Sequence, residues 1–299
     1  MSNYIITVAV NIEIFALLAL SLNIITGFAG QSMMGHAAFF GIGAYTAALL
    51  TNAGISFWLA MPIAMAVTGL MGALVGVASL RVRDDFLAIT TIGINFVVVA
   101  LFNSLKIFGA SLGMSTKGAY WFGQRMNNTH YMVLLLVLIV VVCLLMRKMQ
   151  HSWFGLALAS MNNDEGAAQS FGINISQYKI LAFIIGTAIA GLAGAVYAHR
   201  MTFIFSNNFI FPVSIQILSM VIIGGIGTIR GPLLGALLLG VAPEALRFAD
   251  DYRMLLYGTL LVLMVRFQPQ GLLGENSVIL RLWDRMRHGK EEKEVAKDV

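Results

Sequence analysis

Residues 131–146 read Tyr-Met-Val-Leu-Leu-Leu-Val-Leu-Ile-Val-Val-Val-Cys-Leu-Leu-Met, and Arg147-Lys148 follow at once. Wound into a helix, the run is apolar on every face. An amphipathic helix of a soluble protein would place polar residues on one side at a 3.6-residue period. A continuous run closed by a basic pair reads instead as a membrane helix whose cationic end stays at the inner surface. Strands of a membrane barrel would alternate, so a barrel does not fit.

Similar runs recur on both sides of this one. Candidate spans lie at 4–26, 33–51, 57–80, 86–107, 131–146, 178–199, 213–226, 233–248 and 255–267. The seventh and ninth are short for a full crossing and are expected to be tilted, broken or re-entrant. The composition agrees. Of 299 residues, 59% are hydrophobic and 11% charged, against about 45–50% and about 25% in soluble domains. The expected fold is all-α: a polytopic integral membrane protein of eight or nine transmembrane helices, with broken or re-entrant segments. Soluble enzymes, secreted disulfide scaffolds and nucleic-acid binders are set aside. Residues 1–80 contain no Lys or Arg, so the first apolar run is expected to be a membrane helix and not a secretory signal. The single cysteine, Cys143, sits within the run quoted above and reads as a small lipid- or helix-facing residue.

Basic residues orient the chain. With 147–177 inside, that face holds Arg81, Arg83, Arg147, Lys148, Lys179, Arg230, Arg266 and six basic tail residues. The opposite face holds Lys106, Lys117, Arg125, Arg200, Arg247 and Arg253. The chain thus divides into a membrane unit, 1–274, and a tail, 275–299, that carries over a third of all charged residues. The tail reads as a solvated cytoplasmic end.

Within the membrane unit, 147–177 is more than a loop. Trp153, Phe154, Leu156, Leu158 and Met161 alternate with small residues; Asp164 and Glu165 suit a helix N-terminus, and Gly172 a helix C-terminus. Such a structure needs a surface to pack on, either the protein's own helix ends or a partner. Glycines at four-residue spacing (Gly72 and Gly76; Gly186, Ala190 and Gly194; Gly231 and Gly235) suit close helix packing in lipid. Two stretches are denser than packing requires: Gly27-Phe-Ala-Gly30-Gln31-Ser-Met-Met-Gly35-His36 and Gly224-Gly225-Ile-Gly227-Thr228-Ile-Arg230-Gly-Pro232. They read either as broken helices along a transport path or as tight turns at the surface. Glu13, Asn23, His36, Asn95 and Glu244 are the polar residues placed inside spans. Glu13 and Asn23 suit a pathway, a subunit contact or a buried hydrogen bond. His36 has no second ligand at metal spacing. No phosphate loop, H-E-x-x-H or G-x-S-x-G is present.

Several ordered segments resemble the permease subunits of branched-chain amino acid ATP-binding-cassette importers. They are Ala19-Leu-Ser-Leu-Asn23, Gly27-Phe-Ala-Gly-Gln31, Gly35-His-Ala-Ala-Phe-Phe-Gly-Ile-Gly-Ala-Tyr45, Leu80-Arg-Val-Arg-Asp-Asp-Phe-Leu-Ala-Ile89, Phe171-Gly-Ile-Asn174 with Tyr178-Lys-Ile-Leu-Ala-Phe183, Ala190-Gly-Leu-Ala-Gly-Ala195, Gly224-Gly-Ile-Gly-Thr228, and Arg266-Phe-Gln-Pro-Gln-Gly-Leu-Leu-Gly274. The 80–89 and 266–274 elements look like the second of the two permease types in such importers. The resemblance implies a bacterial inner-membrane subunit with its C-terminus in the cytoplasm. It implies a second homologous permease, two cytoplasmic ATPases carrying ATP and magnesium, and a periplasmic or lipid-anchored binding protein. No cofactor on this chain, no catalytic residue and no nucleic acid are expected.

The resemblance also gives the 147–177 segment the place of the family's cytoplasmic coupling helix. Ala167, Ala168 and Gly172 match its E-A-A-x-x-x-G motif, while Gly166 stands where Glu is usual and Glu165 lies one position early. With Asp164 these residues are the expected ATPase contact. The expected solute path runs by Gly30, Gln31, Gly35, His36, Thr90, Thr91, Asn95, Gly224, Gly225 and Gly227. The outer loop 109–118 departs from the family's Thr-Gly-Gly-type stretch, and relatives of the same broad family carry urea or amides. A self-sufficient secondary transporter or channel is the competing reading, and a membrane-embedded enzyme has little support.

Overall fold

The structure, a computed structural model, describes residues 2–82, 84–121, 124–245, 258, 259, 262, 266 and 271–273. Apart from residues 258, 259, 262 and 266, the ninth candidate span lies outside these, as does the charged tail. Ten α-helices occupy the described residues: α1 Ser2–Asn23, α2 His36–Asn52, α3 Phe57–Ser79, α4 Asp84–Ser104, α5 Asn128–Gln150, α6 Trp153–Asn163, α7 Glu165–Ser170, α8 Ile175–Met201, α9 Phe211–Gly224 and α10 Arg230–Ala245. Eight of them answer to the first eight apolar runs. Six stretches are long and apolar enough to cross a membrane: Asn3–Phe28, Phe57–Ser79, Phe86–Ser104, Asn128–Gln150, Ile175–Met201 and Ser206–Gly224. The short ones differ from expectation. The seventh run gains length from a 3₁₀ turn at Ser206–Phe209 that leads into α9. Instead α2, of 17 residues, falls short, and α10 is described over the 16 residues that end at Ala245. At about 1.5 Å per residue, α2 spans roughly 26 Å of a core about 30 Å thick.

Among the six long spans the most enclosed is α8, with α2 and α3 against it. Helix α1 packs on α5, α8, α9 and α10. In lipid, helices gain little from burying leucine, so contact depends on close approach. Gly43 of α2 faces Gly191 of α8 backbone to backbone, and Gly194 faces the Phe40 carbonyl; a Cβ at any of the three would overlap its neighbour. Gly72 and Gly76 of α3 receive Thr187, Ile180 and Phe183 of α8, and Gly235 of α10 meets the Met220 carbonyl of α9. The four-residue glycine spacing therefore marks real helix contacts. Buried hydroxyls return to their own backbone, Thr68 Oγ1 to the Ala64 carbonyl and Thr187 Oγ1 to the Phe183 carbonyl, each at 2.7 Å. The opposite faces are apolar and open: Leu70 and Leu74 on α3, Val137, Val141 and Leu144 on α5. Helices covered on one side and greasy on the other suit a lipid solvent.

The chain between the fourth and fifth candidate spans, 108–130, carries short strands. Strand β1 (Met114–Ser115) pairs antiparallel with β4 (Phe203–Ile204), Met114 opposite Ile204, and β2 (Tyr120–Trp121) pairs with β3 (Gln124–Arg125). Gly109 and Gly113 turn the chain at φ +81° and +76°. Thr116 Oγ1 donates to the Ala198 carbonyl at 2.8 Å and Asn52 Nδ2 to Ser115 O at 2.8 Å, which seats the loop on the tips of α2 and α8. Arg200, on the same end, donates to Asn11 Oδ1 at 2.5 Å and to the Thr7 carbonyl at 3.3 Å, joining α8 to α1.

The α2–α8 contact supplies a direct test. Replacing Gly43 with leucine forces backbones apart and is expected to cost at least about 1–3 kcal/mol. A thermal unfolding scan in detergent should show a lowered midpoint, whereas leucine at Gly93, which has open space around its Cβ position, should leave it unchanged.

Candidate functional site

Both glycine-dense stretches break their helices, and one asparagine joins them. After α1 the chain makes a π-helical turn, Ile24–Phe28, then runs without helix from 29 to 35 before α2. Between α9 and α10 it turns through 225–229, with Gly225 at φ +125° and Gly227 at +80°. Asn23 Oδ1 accepts from the Gly227 amide at 2.9 Å, and its Nδ2 donates to the Thr228 carbonyl at 2.8 Å. One side-chain amide thus satisfies a donor and an acceptor of a loop that has no ladder to join. Gly27 allows this, since a Cβ there would overlap Asn23 and the Gly227 amide.

The second break is further stitched. Thr228 Oγ1 donates to Gly225 O at 3.0 Å and accepts from the Gly231 amide at 3.0 Å. The amides of Leu272 and Leu273 donate to the Ile223 and Gly224 carbonyls at 2.8 and 2.9 Å. Those carbonyls are orphans at the end of α9, and Gly271, at φ +74°, approaches the Gly225 backbone too closely for any side chain. The 271–273 stretch therefore closes the α9 end.

The expected coupling segment rests on the first break. Helix α5 runs on to Gln150 and α8 begins at Ile175, so the segment between them is 151–174, shorter than 147–177. The cause is that Arg147 and Lys148 continue the helix, their charges favourable at its C-terminus. Asp164 caps α7, its Oδ1 accepting from the Ala167 amide at 3.0 Å, and Gly172 ends it at φ +82°. Leu158 and Met161 of α6 are buried against Ala29 and Ala182, with Phe28 and Tyr178 beside them. Asn162 Nδ2 donates to the Gly27 carbonyl at 3.2 Å, and Gly30, at φ +66°, leaves the space that Asn162 fills. Glu165 forms an ion pair with Lys179 of α8. Ala168 is buried, while Ala167 is exposed. The outer side of the segment carries Trp153, Leu156 and Phe171, which are 85%, 57% and 88% exposed. One side of the segment thus packs on the protein's own helix ends, and the other is open and apolar.

The remaining path candidates lie deeper. Gln31 is buried, donating to Lys179 O and accepting from Ser79 Oγ, each at 3.4 Å. The Met34 amide donates to Thr91 Oγ1 at 3.1 Å, and Gly35 lies on the Thr91 carbonyl. His36 Nε2 is 2.6 Å from Ser21 Oγ, and Asn95 Nδ2 donates to the Phe209 carbonyl at 3.1 Å. Each of these two keeps one buried polar atom, His36 Nδ1 and Asn95 Oδ1, without a hydrogen-bond partner among the described residues; Glu13 Oε2 is in the same state. Thr90 separates from the group. It is exposed and bonds only back to Phe86 O at 2.8 Å, because one residue along a helix turns the side chain by about 100°. Sequence reading assigned nothing to Ser21, Thr228 or Asn162. Their signal was weak, since small polar residues near glycines are common in any turn. Among the described residues, no three His, Cys, Asp or Glu side chains gather as metal ligands.

Comparison with known proteins places this arrangement. The family model described as branched-chain amino acid transport system / permease component matches residues 4–265. The high-affinity branched-chain amino acid transport system permease protein LivM of Salmonella typhimurium is 32% identical, over 93% of this chain and 72% of the relative. LivM of Escherichia coli shows the same figures. The permease protein LivH of Salmonella typhimurium is 34% identical over 44% of this chain and 42% of its own length. No solved structure matches the chain.

The Asn23 junction is testable alone. Asn23→Ala leaves a half-buried amide and carbonyl without their partner, at about 1 kcal/mol each. Asn23→Asp keeps the acceptor for Gly227 but loses the donor to Thr228. The expected order of thermal stability is wild type, then Asp, then Ala, and equal midpoints for all three would exclude the junction as a structural tie.

Proposed function

The chain belongs to the branched-chain amino acid transport permease family, and we propose that it is one membrane subunit of an ATP-driven importer for leucine, isoleucine, valine or close analogues. The substrate assignment is supported by the names of its relatives. Similarity to two differently named permeases, LivM over nearly the whole chain and LivH over part of it, supports a second, homologous permease as partner. ATP and magnesium would bind two cytoplasmic ATPases, and a binding protein would deliver solute to the outer face. The positive-inside pattern supports placing α6–α7 and the C-terminus in the cytoplasm.

One observation carries the mechanism: α6 touches the first break through Asn162, and that break holds the second through Asn23. ATPase closure would bear on the free apolar side of α6–α7. Leu158 and Met161 lock α6 to the helix ends beneath it, so the push would travel as a rigid-body displacement. It would reach the two glycine-dense breaks together, which can bend at least cost because their residues already sit at positive φ. Opening there would change which side the path faces. An amino acid needs polar partners for both charged ends and an apolar wall for its side chain. Candidates beside the breaks are Gln31, His36, Thr91 and Asn95, and the partnerless atoms of His36 and Asn95 are the strongest of these.

The proposal is tested by reconstitution. Vesicles holding this chain alone should show neither ATP hydrolysis nor leucine uptake, and uptake should appear when the second permease, the ATPases and the binding protein are added. ATP-independent uptake by the lone chain would overturn the reading; uptake of urea or amides in place of leucine would overturn the substrate assignment. Phe171→Asp and Trp153→Asp, at positions with little contact to their own chain, should weaken ATPase binding at least about tenfold without moving the unfolding midpoint. Glu165→Lys should abolish coupling. Adding Lys179→Glu restores the ion pair; recovery of transport would assign Glu165 to the intramolecular pair, and failure to recover would assign it to the ATPase contact.

A further inference from the structure

Between the last turns of α5 and the loop held by Asn23 lies a groove of about 870 Å³. Its walls change character along its length. At one end Ile139, Cys143 and Leu233 make an apolar channel; at the other Arg147 and Arg230 flank the opening beside His151. No Asp or Glu is among the described lining residues, and neither guanidinium has an ion-pair partner among the described residues. From Ile139 to His151 an α-helix rises about 18 Å, close to half of a hydrocarbon core about 30 Å thick. The groove therefore has one leaflet's depth, a cationic mouth at the membrane surface and a greasy interior.

We propose that this groove binds an anionic phospholipid, its phosphate between Arg147 and Arg230 and one acyl chain along Ile139, Cys143 and Leu233. Charge complementarity selects the occupant. An anionic headgroup is the ligand attracted by two arginines at the membrane surface that have no ion-pair partner among the described residues, and only a lipid brings an apolar tail attached to it. The assignment to the inner leaflet rests on the orientation given under the proposed function; binding itself does not. Gly227 and Thr228 form part of the same wall, and their backbone groups are those that Asn23 holds. A bound lipid thus buttresses the second break from its outer side.

Cys143 is the chain's single cysteine and half-buried in the groove, so it reports occupancy. The full-length chain is placed in nanodiscs of phosphatidylcholine alone, or of equal phosphatidylcholine and phosphatidylglycerol. Both faces are open there, so orientation does not matter. Phosphatidylglycerol should slow alkylation of Cys143 by N-ethylmaleimide. Phosphatidylglycerol retained through native mass spectrometry should fall about fivefold for Arg147→Ala or Arg230→Ala and roughly 25-fold for both. Arg147→Lys with Arg230→Lys, which keeps both charges, should stay within a few-fold of wild type. Val140→Trp fills the apolar limb, leaves both arginines, and should also reduce retention, so the result does not depend on the double alanine variant folding. Equal retention of the two lipids, or retention unaffected by these changes, would overturn the proposal. Shielding of Cys143 in phosphatidylcholine alone on assembly with partner subunits would assign the groove to a protein neighbour and overturn it as well.

Discussion

A single primary amide organises the end of the bundle on which this protein's motion would depend. Asn23 supplies one acceptor and one donor to a loop with no secondary structure of its own. Backbone groups left unpaired away from water cost about 1–3 kcal/mol each, so irregular chain between helix ends persists only where protein or water completes its hydrogen bonds. Two breaks facing each other meet that condition jointly. The first donates the asparagine and makes room with Gly27; the second offers Gly227 and Thr228, and 271–273 closes the Ile223 and Gly224 carbonyls. Each break would be unfavourable alone.

This arrangement divides the molecule into parts of different stiffness. Helices α2, α3 and α8 meet through Gly43, Gly72, Gly191 and Gly194 at distances that admit no side chain. Packed cores of this kind shift between discrete arrangements and do not deform smoothly. The breaks are held by a few hydrogen bonds, each worth about 0.5–1.5 kcal/mol net. On the proposed function, a force applied at α6–α7 would meet its least resistance at the clasp, where Asn162 would deliver it. A permease powered by other subunits, as proposed, would need such a contrast: a rigid body that transmits, and a joint that yields.

The apolar runs foretold eight helices, because span length and continuity are local properties. Asp164 and Gly172 marked the limits of α7, since capping acts within one turn. Glycine spacing foretold contact but not partner: nothing in Gly43 points to Gly191. The two dense stretches stood out as irregular, yet Asn23 was separated from its partner at Gly227 by 204 positions. Thr90 and Thr91 were indistinguishable in the chain and proved opposite in the fold, one exposed and one buried.

By itself the sequence determined that this is a multi-pass helical membrane protein, which of the later segments end in positive charge, and which stretches form the apolar helices. Those follow from hydropathy, charge and backbone chemistry, which act over a few residues or against a planar solvent. The tertiary structure decided that the two breaks close on one another, that α6 hooks the first of them, and that Arg147 and Arg230 share one groove. These are juxtapositions of segments distant in the chain. They depend on which helix faces which, and a side chain's type does not specify its neighbour across a bundle.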